Sequence, residues 1–400
     1  MSVLNVFYST DPVSPVAVGR LAMHRGRIYF EYDAAFLKTG LELSPFMLPA
    51  RAGAVAAEPT PWDGLFGLFN DSLPDGWGLL LMDRHLKSLG VDTRFLTPLD
   101  RLAYMGSRAM GALTYEPARE VDGDAFEVDI ASMAASAIEI YAGHASEVLP
   151  QMARAGGSPA GARPKILVHL SGERMISGES EAPAGFEPWI VKFFAGSERP
   201  DTGRIEYAYA LMARDAGITM PETRLFEGDG SAWFGIRRFD RDGTTRIHMH
   251  TLGGLVDADF RMPSLDYTDV LRVTQQLTRN ETDVERAFAL MAFNVLAHNR
   301  DDHSKNFSFL MDANGEWRLA PAYDLTCSRG MNGEHTTAVA GEGRNPGEAH
   351  MLKAGEAVGL KTSRMRRCIE RVRSAIARWP EWCDRAGIAE ADRRFPPVPE

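Results

Sequence analysis

The chain has 400 residues, more than one ordinary domain holds and enough to bury a large core without disulfide or metal staples. Its 54 acidic residues outnumber 44 basic ones, a net charge of −10, which excludes a protein that grips nucleic acid or anionic membrane over its whole surface. At 44% hydrophobic and 24% charged residues the balance is that of a soluble globular protein, with no uncharged apolar run of about 18 residues to cross a membrane. The three cysteines, Cys327, Cys368 and Cys383, form neither a disulfide framework nor a metal motif, and the N-terminus lacks a signal-peptide pattern. A reducing cytoplasm is the expected home.

Residues 16–32 read as a hairpin, two β-rich runs flanking His24-Arg25-Gly26-Arg27. Residues 50–60 are a small-residue loop. Residues 64–71 lead into Ser72-Leu73-Pro74-Asp75-Gly76-Trp77-Gly78, and 79–89 has helical spacing. The polar, acidic stretch 117–130 suits a junction between two domains. A loop over 153–165 precedes predicted strands at 166–170 and 188–194. A helix follows over 205–215, stopped at Gly217, and then a strand over 232–240. The strongest helix spans 283–298, with Val284, Ala287, Phe288, Met291 and Val295 on one face and Thr282 with Glu285 as a capping box. Loops are expected at 299–306 and 320–344. A basic amphipathic helix over 363–379 ends before Pro380.

Asp301-Asp302-His303-Ser304-Lys305-Asn306 directly follows the strongest helix. Its plain reading is a solvated loop. A metal site drawn from His298, Asp301, His303 and His335 or His350 is a second reading, but the helical i, i+4 histidine pair is absent. A third fits the spacing best. An Asp, an Asn five residues on and an Asp some twenty residues later is the layout of phosphoryl transfer. Asp301 would orient and deprotonate an attacking hydroxyl, while Asn306 and Asp324 would hold Mg²⁺ on ATP phosphates.

Lys192 lies mid-strand in Trp189-Ile190-Val191-Lys192-Phe193-Phe194. It is either an edge-strand charge or the strand lysine that neutralises phosphates and pairs with a helix glutamate. Glu206 is the candidate partner, although a glutamate early in any helix is also favoured electrostatically. Gly156-Gly157-Ser158-Pro159-Ala160-Gly161-Ala162-Arg163-Pro164-Lys165 lies where a phosphate-covering loop belongs, yet matches no standard glycine motif and reads equally as a linker.

Taken in order, these segments resemble the HipA family, the serine/threonine-kinase toxins of bacterial type II toxin–antitoxin modules. The N-terminal part carries the resemblance through Val18-Gly19-Arg20-Leu21, Phe30-Glu31-Tyr32-Asp33, Leu43-Ser44-Pro45, the Ser72 to Gly78 motif and Tyr104-Met105-Gly106-Ser107-Arg108 with Ala109-Met110-Gly111-Ala112-Leu113. The rest carries it through residues 158–165, 189–194, Arg238-Phe239-Asp240-Arg241, 301–306 and 321–325. The resemblance implies an α+β fold. An N-terminal α/β domain over 1–130 would precede a two-lobed protein-kinase-like domain, with a small lobe over 131–245 and a helical lobe over 246–400.

It also implies the following roles. Asp301 would be catalytic, Asn306 and Asp324 would bind Mg²⁺, and Lys192, paired with Glu206, would hold ATP phosphates. Ala160, Gly161, Ala162, Arg163 and Lys165 would belong to the loop covering the phosphates. His303, Lys305 and Tyr323 would lie beside the nucleotide, and the backbone of Arg237, Arg238 and Phe239 would form the adenine hinge. Ser158 would be the autophosphorylated serine whose modification ejects the loop. A HipB-like helix-turn-helix antitoxin would neutralise the toxin and carry it to operator DNA. The protein substrate would be a translation factor such as an aminoacyl-tRNA synthetase. A non-catalytic kinase-like co-repressor and a small-molecule phosphotransferase are the alternatives.

Overall fold

Apolar alternation near the N-terminus folds into a meander of three antiparallel strands, β1 (Val3–Tyr8), β2 (Val16–His24) and β3 (Arg27–Tyr32). The computed structural model describes residues 3–119, 125–143, 150–156, 161–178, 181–194, 198, 201–228 and 230–395. In β1 the buried residues are Leu4, Val6 and Tyr8, while Val3 and Asn5 face water. The β2–β3 turn is Arg25–Gly26, at φ 48° and 78°, the left-handed pair that a two-residue turn needs between twisted strands. Gly19 has no room for a side chain, because a Cβ there would stand 2.2 Å from the Glu31 carbonyl oxygen.

Next come α1 (Ala34–Leu37), β4 (Val55–Ala56), α2 (Gly67–Asn70), α3 (Gly76–Ser88), α4 (Pro98–Met105) and β5 (Leu113–Glu116). The sheet order is β4-β3-β2-β1-β5. Its buried face is aromatic, with Phe30 on Tyr32 at 4.8 Å and Phe69 on Tyr115 at 6.5 Å, both edge-on.

A second five-stranded antiparallel sheet follows α5 (Ile130–Tyr141) and α6 (Pro150–Gly156). Its strands are β6 (Lys165–Ser171), β7 (Arg174–Ser177), β8 (Glu187–Lys192), β9 (Thr223–Gly228) and β10 (Ser231–Arg237), in the order β7-β6-β8-β10-β9, with α7 (Thr202–Asp215) inserted after β8. β6 is buried from Lys165 to Leu170, so both faces of the sheet are covered there. One face packs Ile166, Val168 and Val191 against Met133 and Ala137 of α5 and Met152 of α6, joined by Trp77 and Leu81 of α3. On another face Ala210 of α7 meets Phe234 and Ile236 of β10.

A buried ion cluster joins this sheet to the N-terminal part. Asp240 accepts two hydrogen bonds from Arg238, at 2.9 and 2.8 Å, one from Arg241 at 2.7 Å and one from the Gly111 amide at 2.8 Å.

The remaining chain forms the hairpin β11 (Arg241–Asp242) and β12 (Thr245–Arg246), then β13 (His248–Thr251), α8 (Leu252–Leu255), α9 (Tyr267–Thr278), α10 (Glu281–Leu296), β14 (Ser308–Met311) and β15 (Trp317–Leu319). Helices α11 (Glu348–Glu356), α12 (Thr362–Ala377) and α13 (Trp379–Ala386) follow. No described helix is long and apolar enough to cross a membrane. Helix α10 is the core of this part. The predicted face is buried, and so are Ala289, Leu290, Ala292 and Phe293 around the other sides.

Two sequence expectations need correction. The Thr282–Glu285 capping box does not form. Arg279, in the left-handed region, ends α9 so abruptly that Asn280 becomes the cap, its side chain accepting from the Thr282 amide at 2.9 Å. Glu285 instead binds Arg364 of α12 at 2.5 Å. The C-terminal helix stops at Ala377, and Pro380 sits in the first turn of α13, where its missing N–H costs nothing.

Candidate active site

The pairing of β6 with β8 sets Lys165 directly opposite Lys192. Two ammonium groups so close need negative charge nearby. Lys192 Nζ reaches Glu206 Oε1 of α7 at 2.5 Å and Asp324 Oδ1 at 2.5 Å. Burial works against the Lys192 charge, yet Asp324 and Glu206 outweigh it and push the group up to about 12. Lys165 goes the other way. Burial, helped by the charge of Lys192 and only partly offset by Asp324, Asp75 and Glu206, brings it down to about 8. Glu206 is buried and lies beyond the first turn of α7, so the ion pair, not helix polarity, accounts for its placement.

Asp324 takes a left-handed backbone at φ 57°, a conformation that costs a non-glycine residue energy and is held by its surroundings. Burial opposes its charge, but Lys192 and Lys165 hold its carboxyl well below the usual carboxylate range. Beside it, the Tyr323 hydroxyl donates to the Lys305 carbonyl at 2.6 Å and lies 2.5 Å from Ser308 Oγ. The loop after β15 is thereby tied to the loop after α10.

That second loop is anchored by a residue the sequence reading left without a role. Asp302 is fully buried. It accepts from the Tyr267 hydroxyl at 2.8 Å and from the amides of Thr336 and Thr337 at 2.9 and 3.3 Å, and His335 Nδ1 lies 2.8 Å away. Successive side chains in an extended segment point opposite ways, and while Asp302 is buried Asp301 is exposed. Asp301 is held above its ordinary value, first by partial desolvation, then by Asp324 and Asp302, with His303 opposing. That is the tendency wanted in a proton acceptor. Asn306 Nδ2 donates to the Asp301 carbonyl at 2.6 Å, which leaves its amide oxygen as an acceptor. The oxygens of Asn306 and Asp324 are hard donors suited to Mg²⁺, and the two lysines suit phosphate oxygens.

The glycine loop is described from Gly161 onward, and Ser158 and Ala160 lie outside the described residues. Arg163 bonds Glu198 at 2.8 Å and stands 3.6 Å from Glu206. Ala162 is exposed. Lys305 is buried, with Nζ 3.0 Å from Asp75 Oδ2 and stacked on Phe260 at 4.7 Å, while the His303 ring packs on Phe260 at 5.6 Å.

The expected hinge lies at the end of β10. The Arg237 amide donates to the Glu222 carbonyl and that of Arg238 to the Pro188 carbonyl, each at 2.9 Å. Their side chains go to Glu187 at 3.1 Å and to Asp240. Sheet pairing therefore takes these two N–H groups, so an adenine would have to meet the carbonyls of this segment or the Phe239 amide. Phe239 does border the site, its ring 5.5 Å from that of Tyr323. The histidine metal reading also fails on geometry, because His335 is bound to Asp302 and His350 Nδ1 accepts from the Gly347 amide at 3.1 Å. Among the described residues no group of three metal-binding side chains gathers.

Residues 157–379 match the family model of the HipA-like C-terminal domain, and residues 6–116 match the HipA N-terminal domain. The chain belongs to the HipA family. A chain of the solved Shewanella oneidensis toxin–antitoxin complex of HipA, HipB and operator DNA superimposes with a TM-score of 0.69, covering 96% of this chain and 91% of that one at 16% identity. The two share a fold, here an α+β HipA architecture with a helical C-terminal part. A Haemophilus influenzae protein named "Putative kinase" is 27% identical over 185 residues, 42% of this chain and 52% of that protein. A Sinorhizobium fredii protein named "Putative kinase Y4mE" is 28% identical over 181 residues, 42% of this chain and 41% of that protein. This HipA chain thus spans about half the length of the curated relatives it matches.

Proposed function

We propose that this HipA-family chain is an ATP- and Mg²⁺-dependent kinase that phosphorylates a protein serine. The observation that carries this reading is the bridge from Lys192 to both Glu206 and Asp324, facing the loop that presents Asp301. A lysine placed only to keep a sheet edge soluble would not be buried between two acids from distant elements.

Bound ATP with Mg²⁺ supplies the electrophilic γ-phosphoryl group. Lys192 and Lys165 neutralise phosphate charge, and Glu206 keeps Lys192 extended. Asn306 and Asp324 provide the metal's protein oxygens. Asp301 takes the proton of the attacking serine hydroxyl as the new oxygen–phosphorus bond forms and the bond to the ADP leaving group breaks. Gly161 to Lys165 cover the phosphates.

The reading extends to biology. Ser158, three residues before Gly161, is the proposed autophosphorylation site, and two added negative charges there would repel nucleotide phosphates. A HipB-like antitoxin in the cytoplasm is the proposed partner and brings the operator contacts, which suits a chain of net charge −10. A translation factor such as an aminoacyl-tRNA synthetase is the proposed target.

Purified protein given γ-labelled ATP and Mg²⁺ should incorporate label at Ser158, and Asp301→Asn should not. Labelling that persists in Asp301→Asn removes Asp301 from its role. The absence of both labelling and an ATP–Mg²⁺ thermal shift at millimolar nucleotide favours the non-catalytic co-repressor.

A further inference from the structure

Asp75 occupies the N-cap of α3, where an aspartate ordinarily accepts a hydrogen bond from its own helix. It makes no such bond here. Its Oδ1 accepts instead from the Gly161 amide of the glycine loop, and its Oδ2 lies 3.0 Å from Lys305 Nζ in the loop after α10. The next two residues grip the same loop. Gly76 lies so close that a Cβ would stand 2.6 Å from the Gly161 carbonyl oxygen. The Trp77 amide donates to that oxygen at 3.0 Å, and the Trp77 indole donates to the Lys165 carbonyl at 3.0 Å. Lys305 is further enclosed by Phe260 and, at 5.9 Å, by Trp62.

We infer that Asp75 is a positioning residue by which the N-terminal part of the chain holds the glycine loop over the nucleotide site and couples it to the loop carrying Asp301. The inference rests on reading residues 161–165 as the nucleotide loop. A glycine loop built of small residues has many conformations and must lose them before it can order phosphates. One carboxylate that binds a loop amide and a buried ammonium at once removes that freedom in advance, with two charge-assisted hydrogen bonds. The lowered carboxyl of Asp75 fits this. Burial opposes its charge, but Lys305 and the Gly161 amide overcome it.

The test uses the full chain with Asp75→Ala, Asp75→Asn and Lys305→Met. Amide exchange of residues 161–165 is measured without nucleotide, alongside melting temperature, KM for ATP and kcat. Asp75→Ala should speed exchange of the loop by about tenfold or more, the worth of one lost charge-assisted bond, and raise KM for ATP by a similar factor with a smaller change in kcat. Asp75→Asn keeps the shape and removes the attraction to Lys305, so a smaller shift in the same direction is expected. Should Asp75→Ala fail to fold, Lys305→Met breaks the bridge from its other end and should speed loop exchange alike. Unchanged loop exchange and unchanged KM in a folded variant overturn the inference while the kinase reading stands. Faster loop exchange in a protein that shows no phosphotransfer upholds the restraint and overturns the kinase reading instead.

Discussion

Among the described residues there are two five-stranded antiparallel sheets, and the candidate site lies against the second. In the first, strand β1 alternates, one face apolar and the other wet. Its buried side holds Leu4, Val6, Phe30 and Tyr32 and no lysine. In the second, β6 and β8 are sandwiched, and the pair Lys165 and Lys192 lies in registered positions beside acids from α7 and the loop after β15. Both are five-stranded and antiparallel. What separates them is the covering of each sheet's second face, by water in one case and by α7 and the acid-bearing loop after β15 in the other. Two buried cations are tolerable only where acids have been brought to meet them.

This contrast can be broken by experiment. The largest effect belongs to the charged cleft. Asp301→Asn should lower phosphotransfer by about 10²–10⁴-fold while leaving the melting temperature near wild type. A matched loss of stability would mean that the cleft is structural. Phe30→Ala, in the first sheet, should do the reverse. Urea denaturation should show a loss of about 3–5 kcal/mol, with KM for ATP unchanged in the folded fraction. A raised KM would show that the first sheet reaches the nucleotide by more than the α3 contact.

A pH titration sharpens the comparison within the second sheet. Lys165 in the nucleotide-free protein titrates near 8, so it is charged below that pH and neutral above it. Nucleotide affinity, read by calorimetry, should therefore fall as pH rises through 8, by up to about tenfold per unit, and Lys165→Arg should flatten that dependence. The smallest effect lies at α4, where Thr97 and Asp100 form a reciprocal cap. Thr97→Ala should cost about 1 kcal/mol in urea denaturation with no change in activity.

Much of the fold could be read from pattern. The hairpin at 16–32, the strands around residues 168 and 191 and the buried face of α10 all follow from periodicity, because burial imposes a period of two or 3.6 on the chain. Lys192 stood out because a lysine among large apolar residues demands a partner. The spacing of Asp301, Asn306 and Asp324 stood out because the chemistry needs it. The hinge segment shows what pattern cannot reach. Sequence shows that Arg237 and Arg238 have N–H groups to donate, but not that the Glu222 and Pro188 carbonyls take them first.

What the sequence determined by itself is therefore which residues face inward and which residue types are available for chemistry. Only the tertiary structure decided where the polar side chains spend their hydrogen bonds. Asp75 turns from its own helix to Gly161 and Lys305, 86 and 230 residues away, and Asp302 gives its carboxylate to Tyr267, His335 and Thr336 rather than to the cleft. Hydrophobic burial leaves a periodic trace because it acts on faces of local elements. A buried carboxylate leaves none, because its partner is whichever donor the folded chain brings within about 3 Å.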